Sequence, residues 1–226
     1  MSRILTLLAQ ALPAVALLSA CSGVIPEGRA PQRQTVSRST QVFTPSAEAQ
    51  QCYNGLGTTK ASFTPLPDQY FGAGCSAVSA LRLTALRSDD AKLGVSNLGM
   101  VTCPLAQTFA GWARFGVDRA ARQILGSPLA RIETMGSYNC RTVAGRERLS
   151  AHATANAIDV SAFVLADGRR ISVSGQWSDG SPAERQFLSV IHASACKRFG
   201  TVLGPNYNAA HRDHFHVEIS ARSSCR

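Results

Sequence analysis

The sequence predicts an α+β fold, a small antiparallel sheet carrying the functional side chains with two main helices packed on it. Three observations support this. Segments that alternate apolar and polar residues are interleaved with two longer segments of helical period. The strands and helices do not follow one another as regular βαβ units, which argues against a doubly wound parallel sheet. The composition, 45% apolar and 16% charged, provides a core and excludes a wholly disordered chain.

In chain order, residues 76–86 (SAVSALRLTAL) alternate as a strand. Residues 104–125 form the clearest helix. Pro104 stands in its first turn, Leu105, Phe109, Trp112, Ala113, Ala120 and Ile124 recur at helical spacing, and Gly126 stops it. A short strand follows over 130–134. Residues 157–165 and 170–173 read as a hairpin around the Asp167-Gly168 turn. Residues 182–199 make a second helix with Phe187, Leu188, Ile191, Ala195 and Phe199 on one face, and 214–219 form the last strand.

The first twenty residues begin with Arg3 and continue almost unbroken apolar from Ile4 to Ala20, the pattern of an export signal. Pro13 interrupts the run, which is marginal for a spanning helix of about 20 apolar residues. Leu18-Ser19-Ala20-Cys21 resembles the bacterial lipobox, which implies a lipid on Cys21. An ordinary cleaved signal is the alternative. Ser22 in second place implies, by the same resemblance, the outer membrane of a Gram-negative cell and a periplasmic domain. Residues 21–50, rich in Ser, Thr, Gln, Pro and Arg, read as a flexible tether, and 51–226 as the folded domain. The six remaining cysteines, Cys52, Cys75, Cys103, Cys140, Cys196 and Cys225, read as three disulfides of open connectivity. None has the close spacing of a thiolate metal site. The net charge of +9 favours anionic partners. Nucleic acid is disfavoured, because the basic residues are dispersed and no aromatic stacking set accompanies them. A monomer is expected.

The chain has five histidines, and three fall within six residues: His211, His214 and His216 in AHRDHFHVEIS. His152 lies in LSAHATANAIDV, seven residues before Asp159, and His192 sits among core positions of the second helix. On a final strand Phe215, Val217 and Ile219 face one way, so His214, His216 and Glu218 face the other. The two imidazoles then stand with β-carbons roughly 6.5 Å apart. By the same alternation Ile158 and Val160 turn inward and Asp159 outward. His152, Asp159 and His216, with His214 and His211 nearby, offer the nitrogen and oxygen set of a catalytic zinc with one open position. Such an ion acidifies water and polarises a carbonyl. Either pattern alone is weak, since His-x-His often marks only a polar strand face. The joint pattern carries the argument.

The Ser-x-His-x6-Asp spacing followed by His-x-His resembles the zinc peptidases grouped with lysostaphin, the D-Ala-D-Ala carboxypeptidases and the hedgehog signalling domain. That resemblance implies His152, Asp159 and His216 as zinc ligands. The spacing of His211, His214 and His216 is similar to the penicillin-insensitive murein endopeptidases, where further histidines line the site. GSYNCR, LSAHATANAIDVSAFVLADGRRISV and FGTVLGPNYNAAHRDHFHVEI resemble the bacterial extensin-like C-terminal domain family over roughly residues 52–225. Together these imply a zinc metallopeptidase acting on the peptide cross-links of peptidoglycan, as an endopeptidase rather than a carboxypeptidase. A non-catalytic, metal-stabilised wall-binding module is the alternative. The carboxypeptidases carry a general-base Glu three residues before His-x-His, where this chain has His211. The base is therefore His214 or His211, with Asp213 and Glu218 behind them. Arg141 and Ser150 match the Arg and Ser that hold the substrate in the wider group, and Arg146 and Arg148 compete for the former role.

Overall fold

The computed structural model describes residues 43–226. The expected export signal, lipidation at Cys21 and the tether as far as residue 42 lie outside the described residues. The fold is α+β, with a sheet much larger than expected.

Helix α1 (Ala47–Thr58) starts behind Ser46, whose hydroxyl accepts the Ala49 N–H, and it buries Ala49, Tyr53 and Leu56 on one face. Residues 47–50, read from sequence as tether, are its first turn. Strands β1 (Ser62–Pro65), β2 (Gln69–Gly72), β3 (Cys75–Ala77), β4 (Ala80–Arg87), β5 (Lys92–Ser96) and β6 (Met100–Thr102) follow. The strand expected over 76–86 is two, because Ser79 turns the chain with φ of 49° and donates its N–H to Asp68.

Helix α2 (Cys103–Trp112) has proline in its first turn and continues through wider π-type turns over Ala113–Asp118 and Ala121–Leu125. Gly126, at φ of 71°, ends it as the sequence predicts. Next come β7 (Leu129–Gly136), β8 (Ala157–Leu165), β9 (Arg170–Ser172) and the one-turn helix α3 (Val173–Gln176). Helix α4 (Pro182–Cys196) opens with a reciprocal capping box between Ser181 and Glu184. It stops three residues short of the expected end. Strands β10 (Thr201–Leu203), β11 (Phe215–Glu218) and β12 (Ser224–Cys225) close the chain.

Ten strands form one mixed sheet in the order β1-β4-β5-β7-β8-β11-β10-β12, with β6 beside β4 and β9 beside β8. Most pairs are antiparallel; β5–β7 and β10–β12 are parallel. The small, purely antiparallel sheet expected from sequence is corrected on both counts. The strands of this sheet not expected from sequence, β1, β5, β6, β10 and β12, have two to five residues and carry too little alternation to be read.

The core holds Trp112 of α2, Phe163 of β8, Phe187 of α4 and Phe215 of β11, all fully buried. The Trp112 indole N–H donates to the Ile191 carbonyl, which fixes α4 against α2. Gly116 lets the two helices approach, since a β-carbon there would lie 2.6 Å from Ser194 Oγ and 2.8 Å from the Trp112 ring. This packing leaves the opposite face of β8 and β11 free to carry polar side chains.

Three disulfides join Cys52 to Cys103, Cys75 to Cys140 and Cys196 to Cys225. The first ties α1 to α2 across 51 residues of sequence. Constraining a loop of that size in the unfolded chain is worth about 4 kcal/mol. The double variant Cys52→Ala/Cys103→Ala is therefore expected to lose about 2–5 kcal/mol of unfolding free energy in denaturant titration. An unchanged midpoint would contradict that pairing.

Candidate metal centre

Strands β8 and β11 are antiparallel neighbours in a register that sets Asp159 opposite His216, Val160 opposite Phe215 and Ile158 opposite Val217. Ile158, Val160, Phe215 and Val217 are fully buried in the core. Asp159 and His216 therefore share the other face, as the alternation predicts, and Asp159 Oδ1 lies 3.0 Å from His216 Nδ1.

His152 arrives from the turn that feeds β8. The turn Ala151–Thr154 is a short 3₁₀ helix capped by Ser150, whose buried hydroxyl accepts the His152 N–H. Ala155 leaves it in the left-handed region, at φ of 54°, and Asn156 donates its backbone N–H back to the Ala151 carbonyl. Seven residues thus span one tight turn and the entry to a strand, and the His152 ring returns over Asp159. The Asn139 N–H donates to the His152 carbonyl and the His152 Nδ1–H to the Ser137 carbonyl. His152 Nε2 then lies 3.2 Å from Asp159 Oδ1 and 3.2 Å from His216 Nδ1.

The hydrogen bonds decide where the lone pairs are. The Ser137 carbonyl only accepts, so His152 carries its proton on Nδ1 and presents a lone pair at Nε2. Glu218 Oε2 lies 3.0 Å from His216 Nε2 and, as a carboxylate, also only accepts, so a neutral His216 presents its lone pair at Nδ1. Two imidazole lone pairs and a carboxylate converge within hydrogen-bonding distance of one another, and nothing among them donates. Such a cluster requires a proton or a cation at its centre.

The electrostatics agree. Burial opposes charge on His216, yet its hydrogen bonds to Asp159 and Glu218 outweigh this and lift its pKa to about 9. Burial likewise opposes the Asp159 carboxylate, and the His152 and His216 hydrogen bonds overcome it, holding the carboxyl well below its usual range. Two nitrogens and an oxygen at mutual distances of 3.0–3.2 Å lie slightly inside the edge of about 3.3 Å that a tetrahedral zinc site needs, so a small outward shift admits the ion, and the absence of sulfur suits other divalent metals too.

The remaining sequence-predicted residues take distinct places. His214 is buried on the metal side, with Nε2 3.5 Å from Asp159 Oδ1 and its Nδ1–H donating to Asp213 at 2.9 Å. His211 is half-buried, its ring 5.2 Å from that of His214 and 5.9 Å from that of His216. Its Nδ1–H donates to Asn208, and Tyr207 packs edge-on against it. Burial, joined by the charges of His214 and His216, pushes His211 down to about 4. Arg141 is exposed at the start of a loop closed by the Thr142–Leu149 bridge, and its charge also depresses His211. Burial opposes the Glu218 carboxylate, but its hydrogen bond to His216 holds it below its usual value, with Arg148 of the same loop adding to this. Ser150 is buried as the cap described, a positioning role the sequence does not suggest. Asn156 bridges Thr102 and the Ile219 carbonyl. His192 packs against Trp177 and Phe215 on the core side, as a structural residue. It lies near Cys196 and Cys225, whose sulfurs are already bonded to each other.

Sequence reasoning missed Ser137, because its contribution is a backbone carbonyl, and it named Glu218 only as a distant candidate base. The alternation that places His216 on the metal face places Glu218 there as well, so its role as ring partner was legible.

The family model described as "Extensin-like protein C-terminus" matches residues 50–226. No curated protein and no solved structure matches the chain.

Metal-stripped protein is expected to take up one equivalent of zinc in calorimetric titration. Asp159→Ala abolishes stoichiometric uptake, and Glu218→Gln, which frees the His216 ring, weakens it about 10–100-fold. Wild-type affinity in Asp159→Ala would place the ion elsewhere.

Proposed function

We propose that this chain, which belongs to the extensin-like C-terminus family, is a zinc-dependent hydrolase of the peptide cross-links in peptidoglycan. One observation carries the reading: His152, Asp159 and His216 converge on a single point, with two further imidazoles beside it. The spacing of these residues also resembles the lysostaphin group, and that of His211, His214 and His216 the murein endopeptidases, which supports an amide bond as the target.

A bound zinc supplies Lewis acidity towards a carbonyl and lowers the pKa of water, the two things that amide hydrolysis lacks at neutral pH. The chain's own groups hold that ion and handle protons. Ser137 and Glu218 fix the tautomers of His152 and His216. Asp213 takes the Nδ1–H of His214, which leaves the His214 Nε2 lone pair turned to the site. That nitrogen accepts a proton from the attacking water and returns it to the leaving amine. His211 stays neutral at neutral pH, so it adds no positive charge to oppose protonation of His214. Arg141 on the rim offers a guanidinium fork to a peptide carboxylate.

Export and attachment through Cys21 complete the proposal and place the domain in the periplasm, at the outer membrane. The full-length chain is then expected to fractionate with membranes and Cys21→Ala with the soluble fraction. Membrane retention of Cys21→Ala would exclude the lipid anchor.

A second reading, a metal-stabilised wall-binding module without turnover, is favoured by one feature: His211 stands where the carboxypeptidases carry their base Glu. Muropeptide dimers separate the two. The zinc-loaded protein is expected to release monomers, a chelator to stop it, and His214→Ala to lower kcat by about 10²–10⁴ with zinc content unchanged. Failure to release monomers with any divalent metal, alongside retained binding to sacculi, would establish the module instead.

A further inference from the structure

The β2–β3 hairpin stands apart from the main sheet and pairs only with itself among the described residues. All four residues of β2 are exposed, Tyr70 to 76% and Phe71 to 46%. A two-stranded hairpin is at best marginally stable alone, and here only Cys75 and Ala77 of β3 are buried. Here it is held from outside. Cys75 is bonded to Cys140, Asp68 accepts the Ser79 N–H, and the Phe71 ring lies 5.0 Å from that of Tyr138.

These attachments lead to the metal centre. Tyr138 directly follows Ser137, whose carbonyl holds the His152 ring, and Asn139, bonded to the His152 carbonyl, precedes Cys140. Gly74 presses on Leu149, where a β-carbon would lie 2.8 Å from Leu149 Cδ1, and Leu149 adjoins the capping Ser150. Phe71 thus packs on the segment that positions His152, and Tyr70 precedes it on the same exposed strand.

Charge narrows the ligand. Residues 66–79 contain no Lys or Arg in a chain of net charge +9, and their one acid, Asp68, is engaged with Ser79. The basic groups lie instead on the neighbouring loop, at Arg141, Arg146 and Arg148. An uncharged aromatic platform suits the apolar face of a pyranose ring, while a basic loop suits peptide carboxylates. We propose that the hairpin is a glycan subsite, in which Tyr70 and Phe71 stack on the sugar strand whose peptide branch enters the metal centre. This rests on the peptidoglycan reading above.

The test uses a peptide-free β-1,4-linked N-acetylglucosamine tetramer, titrated calorimetrically into the zinc-loaded protein. Tyr70→Ala and Phe71→Ala are each expected to weaken binding roughly tenfold. Tyr70→Phe keeps wild-type affinity, as does Val190→Ala, which removes an exposed apolar side chain from α4. Because Tyr70 is so exposed, thermal denaturation of its variants should match wild type. Loss of binding in these variants supports the subsite even if no cross-link is ever cut, so the two proposals fail separately. Unchanged tetramer affinity in both alanine variants overturns the subsite, as does Tyr70-dependent binding of lipid vesicles or of free cross-link peptide in place of the tetramer.

Discussion

Asp159 and His216 face each other across two adjacent antiparallel strands, and their meeting depends on a register set from behind the sheet. Ile158, Val160, Phe215 and Val217 bury their side chains on the core face, each worth roughly 1.5–3 kcal/mol. A slip of one residue would expose those four and drive the carboxylate and the imidazole into the core. The hydrophobic face therefore holds in place a polar cluster that would not assemble by itself. Trp112, Phe163 and Phe187, packed beneath, extend the same constraint into α2 and α4.

The cluster is unfavourable without a cation or proton. Two buried imidazoles and a carboxylate present lone pairs to one another, and the surrounding acceptors prevent the rings from escaping by changing tautomer. Ser137 holds one ring from its far side and Glu218 the other. A proton held by His216 between Asp159 and Glu218 is what the folded chain offers in place of a metal, which accounts for the raised pKa of that ring. A metal ion taking that place would have to displace this proton, so its binding would strengthen as pH rises. His211 and His214 are set differently. Each donates Nδ1–H to a neighbour on its own segment, Asn208 and Asp213, and keeps Nε2 available.

Much of this was legible before any coordinates. Alternation along AIDVSAF and HFHVEI put Asp159, His214 and His216 on the face away from the core, and the scarcity of histidine made His152 their natural partner. The long helices announced themselves through Pro104, Gly126 and the spacing of large apolar residues. What escaped was short or indirect. Helix α1 carries Gly55 and Gly57 and only three buried positions, a weak helical signal behind a polar segment. Strands β1, β5, β6, β10 and β12 are too brief to show a period, so half of the ten-stranded sheet went unseen. Ser150, expected from sequence as a substrate contact, also caps the turn that carries His152, a role that leaves the same mark in sequence because a hydroxyl at a turn can do either. Ser137 contributes a carbonyl, which no side-chain pattern encodes.

The central claim is that His152, Asp159 and His216 hold one ion, His216 through Nδ1 and not Nε2. Anomalous diffraction at the zinc edge from crystals of the zinc-loaded protein addresses it directly. The account predicts one peak about 2.0–2.2 Å from His152 Nε2, Asp159 and His216 Nδ1, with Glu218 still bonded to the far nitrogen of the His216 ring. A peak lacking any of these three contacts, or one on His216 Nε2, would contradict it.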